Sequence, residues 1–163
     1  MLSGLLLALP VVDSVAVEEP PPVAAARGPE LALALEAART AIDACLARGF
    51  PVSASVVDSA GVLKVLLAAD GAAPRGVQSS THKAVTAITF KAPTSQLGER
   101  TKTDKSFADT VAADPSYNVR AGAVLLVVKG EIIGAIGVGG ARPSEIDEAC
   151  ATAGFAQIGD RLK

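Results

Sequence analysis

The chain has 163 residues, 50% of them apolar but only 3% aromatic, with no Trp and a formal net charge of -2. That length suits one domain with an ordinary core, and the core must be built in thin, closely spaced layers of Ala, Val, Leu and Ile. The charge leaves no basic footprint for nucleic acid, and the shortage of aromatics leaves no platforms for stacking single strands, so nucleic-acid binding is disfavoured.

Leu5-Leu6-Leu7-Ala8-Leu9-Pro10-Val11-Val12 is apolar but too short to span a bilayer, so no transmembrane span is expected. Ser14-Val15-Ala16 supplies small residues of the kind a signal peptidase reads, yet no Lys or Arg precedes the run. A signal peptide and an N-terminal arm both remain open. Glu18-Glu19-Pro20-Pro21-Pro22 reads as an extended linker. Residues 1–27 are therefore set apart from a single domain over 28–163.

The domain opens near Gly28-Pro29 with a helix whose expected stripe is Leu31, Leu35, Ala38, Ile42, Cys45 and Leu46, closed by Gly49. The runs 52–57 and 62–67 flank Asp58-Ser59-Ala60-Gly61 and predict a hairpin. A loop at Asp70-Gly71-Ala72-Ala73-Pro74 leads to a helix over about 75–91, stopped by Pro93. Residues 94–122 are polar and predict one or two short helices. The runs 123–128 and 132–138, around Lys129-Gly130-Glu131, form the clearest hairpin signal. Ser144 with Asp147 resembles a capping box for a last helix running to about Arg161. The order α-β-β-α-α-β-β-α, with strands joined by tight turns, predicts an α+β layered sandwich on an antiparallel sheet of four to five strands.

His82 is the only histidine. On the helix over 75–91 it shares a face with Thr86, four residues on, and Thr89 and Phe90 extend that face by a turn. Ala84, Ala87, Ile88 and Lys91 form the opposite stripe, expected to lie on the sheet, while Lys83 sits beside the His82 face. On spacing alone, a solvated polar face is the default and a pocket wall the alternative.

The glycines of Gly134-Ala135-Ile136-Gly137-Val138-Gly139-Gly140 fall inside a strand rather than between a strand and a helix. Dinucleotide binding by that route is therefore rejected, and close backbone approach of a helix, subunit or ligand is expected. No Gly-x-Ser-x-Gly elbow is present, and Cys45, Cys150 and His82 lack the paired spacing of zinc sites. The two cysteines fit either a disulfide between the first and last helices or two buried thiols.

Val56-Val57-Asp58-Ser59-Ala60-Gly61, Lys83-Ala84-Val85-Thr86-Ala87 with Phe90 and Pro93-Thr94, and the strand glycines followed by Asp147-Glu148-Ala149-Cys150-Ala151 together resemble the GlcG/HbpS-like family, which includes the C-terminal domain of PduO. The resemblance spans about residues 30–162. It implies a profilin-like sandwich that assembles into homo-oligomers, with haem bound by some members on the helix that here carries Lys83-Ala84-Val85-Thr86-Ala87. It makes His82 or Thr86 the candidate iron ligand, imidazole being the stronger. Thr86 and Phe90 would then line the pocket, with Phe107 and Tyr117 as further aromatic candidates, and Lys83 or Arg75 would meet propionates. The resemblance also favours a Cys45–Cys150 bridge and export to the periplasm or beyond, with the cytoplasm as the alternative.

Three functions follow. The first is a small-ligand-binding protein, with haem as the ligand and a weak redox or haem-handling role. The second is an enzyme on a small carboxylate-bearing metabolite, with Lys83, Arg100 or Arg120 holding the anion and His82 as acid/base. The third is a structural subunit of an oligomer. No catalytic residue is assigned.

Overall fold

Both alternating runs become hairpins, and the hairpins join edge to edge, in the computed structural model, which describes residues 26–163. The possible signal peptide and the proline linker lie outside the described residues. Strands β1 (Ser53–Asp58), β2 (Leu63–Ala68), β3 (Ala123–Val128) and β4 (Glu131–Gly139) form one antiparallel sheet in the order β2-β1-β4-β3. The Asp58 carboxylate closes the first turn by accepting from the Ala60 and Val62 amides, both at 2.9 Å. The second turn is the two-residue kind, with positive φ at Lys129 (50°) and Gly130 (85°), which matches the twist of the strands it joins.

The helices are α1 (Leu31–Leu46), α2 (Pro74–Phe90), α3 (Thr94–Thr103), α4 (Lys105–Ala113) and α5 (Glu145–Ile158), the last followed by a short turn of 3-10 helix. Alternation along β1 divides the core. Ala54 and Val56 join the cluster under α1 and α5, whereas Val57 joins the cluster under α2. The fold is thus α+β: one helical layer on each face of a four-stranded sheet.

Spacing between these layers is set by small residues. The buried face of α1 is Ala34, Ala37, Ala38, Ala41, Ile42 and Cys45. This corrects the expected stripe, because Leu31, Leu35 and Leu46 are 57%, 43% and 44% exposed. The reason lies on α5: a Cβ on Gly154 would run into the Ala37 carbonyl oxygen and sit 3.1 Å from the Ala41 Cβ. Two backbones that close exclude leucine from the seam. Cys45 and Cys150 lie on this seam, with Cα atoms 5.7 Å apart, and are joined by a disulfide.

The opposite face repeats the device. A Cβ on Gly137 would strike the Ser80 carbonyl oxygen and come within 2.8 Å of the Ala84 nitrogen, and one on Gly139 would lie 2.7 Å from the Gly76 oxygen. The strand glycines therefore admit α2 onto the sheet, which settles the choice among helix, subunit and ligand. Beneath α2, the Ser55 hydroxyl bonds those of Ser80 (2.8 Å) and Thr81 (2.9 Å).

Candidate functional site

Helix α2 starts with Pro74 at its first position, follows Ala73, and has neither a side-chain cap nor an acidic residue in its first turn. Its first three turns form one wall of a cleft of about 480 Å3. The loop after α4 supplies Asn118 and Arg120, and the β4–α5 connection supplies Ala141, Arg142 and Ser144. His82, Ser79 and Arg75 project from the α2 wall, with Lys83 and Asp147 at the base.

His82 is half-buried, and neither ring nitrogen hydrogen-bonds a described residue. Asp114 lies close enough to feel it. Hydrogen bonds from Ser116, through its side chain and its backbone, hold the Asp114 carboxyl below the ordinary range, with the imidazole's charge a smaller contributor.

Lys83 is 1% exposed. Its ammonium donates to Asp147 at 2.7 Å and to the Val138 carbonyl at 3.1 Å. Its stem runs past Gly122, where a Cβ would lie 2.8 Å from the Lys83 Cδ. Burial pulls the Lys83 pKa below its ordinary value, and the charge of Asp147 and its hydrogen bond oppose the shift. Asp147 also accepts from the Ala141 amide at 2.9 Å. The expected capping box is thereby corrected: Ser144 precedes α5 without a side-chain cap, and Asp147 turns into the core to hold Lys83. The neighbouring Glu148 ties the start of α3 to the sheet, accepting from the Ser95 hydroxyl (2.6 Å) and from the Ser95 and Gly122 amides (both 3.2 Å).

Thr86 and Phe90 lie outside the cleft lining. Thr86 is fully buried. Its hydroxyl donates to the His82 carbonyl at 2.6 Å and accepts from the Asn118 amide at 2.8 Å. Asn118 in turn donates to Ser79 at 3.1 Å and accepts from the Arg120 amide at 3.1 Å. The threonine therefore pins the loop that carries Asn118 and Arg120 over α2. Phe90 packs edge-on against Phe107 (5.0 Å) and Tyr117 (4.9 Å), so the three aromatic candidates cover one another. Arg100, expected as an anion binder, pairs with Asp104 at 2.9 Å and sits 4.1 Å over the Phe107 ring. Cys45 and Cys150 lie under the α1/α5 face, across the sheet from His82, so these three residues do not converge.

Arg142 and Asn118 were missed as site residues in the sequence. The one available signal was that Arg142 follows the glycine-rich strand, whose end meets the start of α2 once that strand is placed beneath the helix.

Residues 30–156 match the family described as haem degrading protein HbpS-like. Among solved structures, a double mutant of HbpS from Streptomyces reticuli is 35% identical, with a TM-score of 0.76 over 92% of this chain and 99% of that one. A second HbpS structure is 34% identical, with a TM-score of 0.76 over 91% of this chain and 99% of that one. A PduOC–haem complex, 22% identical, shares the fold, with a TM-score of 0.72 over 79% of this chain and 94% of that one. No protein of curated function matches the chain significantly. Among the described residues, no helix is long and apolar enough to cross a membrane.

Proposed function

The chain belongs to the HbpS-like family, and from that membership we propose that it binds haem in the cleft that holds His82. The observation that carries this reading is the placement of the sole imidazole, with no hydrogen-bond partner among the described residues, on a wall shared with Arg75 and faced by Arg120 and Arg142. Neutral imidazole is a strong ligand for haem iron, and guanidinium forks match propionate carboxylates. His82 would hold the iron, and the arginines would hold the propionate edge.

The donor set would supply one ligand to haem iron and partners for its carboxylates. Ala73 and Ala141 are the apolar side chains of a mostly polar lining, so cover for the rest of the macrocycle must come from outside this chain. A second copy in a homo-oligomer is the proposed source. Bound haem would supply one-electron and oxygen chemistry. The residues of this chain would orient it, neutralise its carboxylates and keep Lys83 out of reach, since its ammonium is already spent on Asp147. The buried Cys45–Cys150 bridge supports an exported protein, because such bonds persist in oxidising compartments.

Titration with hemin tests the reading. Wild-type protein is expected to shift the Soret band saturably, and His82→Ala to leave it at the position of free hemin. An unshifted wild-type spectrum, or the same shifted band in the variant, would remove His82 as ligand.

A further inference from the structure

Eight arginines occur in the chain. Arg27, Arg39, Arg100 and Arg161 each pair with a carboxylate, and all four lie away from the cleft. Arg75, Arg120 and Arg142 have no carboxylate partner among the described residues, and all three line the same cavity. Arg48, in the turn after α1, is the remaining arginine without a carboxylate partner among the described residues.

The cleft has little negative charge to balance them. Asp147 is the one acid in its lining, and it is already neutralised by Lys83 and the Ala141 amide. The uncapped start of α2 adds positive potential at Ala73 and Arg75. The three exposed guanidiniums share one cleft without a local carboxylate partner, which gives it a positive potential that favours an anion.

We propose that this cleft binds a compact organic polycarboxylate, bearing two or three carboxylates, through Arg75, Arg120 and Arg142. Three separate segments carry the guanidiniums: the first turn of α2, the loop after α4 and the β4–α5 connection. Separated forks suit separated carboxylates, each taken in the bidentate manner of guanidinium, better than one phosphate that concentrates its charge at a point. Ser79, Asn118 and Ser144 offer neutral hydrogen-bonding groups between the arginines. A volume of about 480 Å3 is within the usual range for small-molecule sites. The site needs no iron ligation by His82, so it stands or falls separately from haem binding.

Isothermal titration calorimetry with citrate at constant ionic strength, on the full chain, tests this. Saturable binding is expected, with Arg120→Gln and Arg142→Gln each weakening it roughly tenfold or more, as loss of a charged hydrogen bond does, while Arg48→Gln binds like wild type. Acetate and inorganic phosphate are expected to bind at least about tenfold more weakly than citrate. No saturable heat with citrate, or equal affinity in the cleft variants and Arg48→Gln, would overturn the site. Phosphate binding as tightly as citrate would overturn its assignment to polycarboxylates. Hemin is titrated separately: a Soret shift without citrate binding defeats only this inference, and citrate binding without a Soret shift defeats only the haem reading.

Discussion

Replacing Lys83 by Met removes one half of an ion pair whose side chains are only 1% and 2% exposed. At 2.7 Å and an effective dielectric near 20, the gross attraction is roughly 6 kcal/mol. Desolvation of each ion costs several kcal/mol, so the intact pair contributes little net stability. Breaking it is a different matter, because the buried Asp147 would be left with only the Ala141 amide to satisfy it. Lys83→Met is expected to cost about 3–5 kcal/mol. The double variant Lys83→Met/Asp147→Asn keeps an acceptor for Ala141 and buries no charge, so it should recover at least about 2 kcal/mol of that loss. Urea denaturation followed by circular dichroism, with the disulfide intact, measures all four corners of the cycle.

The pH dependence adds a second check. Burial lowers the Lys83 pKa in the folded chain, so between that lowered value and the ordinary one the unfolded chain binds more protons. The contribution of this group to stability therefore rises with pH between those two values and is absent in Lys83→Met. A single variant that costs under about 1 kcal/mol, or a double variant as costly as the sum of the singles, would refute the account of a buried and coupled pair.

Gly137→Ala should cost roughly 1–3 kcal/mol or more, read as a lower denaturation midpoint, because the new methyl meets backbone of α2 and not a movable side chain. Wild-type stability in that variant would mean that α2 is not held as close as described. Thr86→Val should lose about 1–3 kcal/mol by stranding the Asn118 amide. Hydrogen exchange should quicken over residues 114–120, while unchanged protection there would show that the loop is held by something else. Cys45→Ala/Cys150→Ala removes a bridge of sequence separation 105, worth about 4–5 kcal/mol on chain entropy. A melting temperature that does not fall would discount that contribution.

What was legible in the sequence was local. The bounds of α2 follow from Pro74 and Pro93, and the β3–β4 hairpin from two alternating runs around Lys129-Gly130. The strand glycines correctly announced a close approach. What was illegible depended on partners far along the chain. Lys83 looks like a surface lysine until Asp147, 64 residues away, is brought beneath it. Thr86 looks like a pocket residue until the loop holding Asn118 folds over it. The α1 stripe departs from the expected one because a seam as close as Gly154 against Ala37 selects alanine and turns leucines outward. Arg75 and Arg120 were picked out in the sequence, but Arg142 joins them only through tertiary placement.

Three residues near the start of α5 tie it to the rest of the domain. Asp147 holds α2, Glu148 holds α3 and the entry to β3, and Cys150 is bonded to α1. Lifting the α2 wall would break the buried ion pair and expose both charges, so that wall opens only with the domain as a whole. The α2 side of the cleft is consequently in place before any ligand arrives. Association then carries no penalty for populating a rare open form, and on-rates should scale linearly with ligand concentration, without the plateau that a gating step imposes.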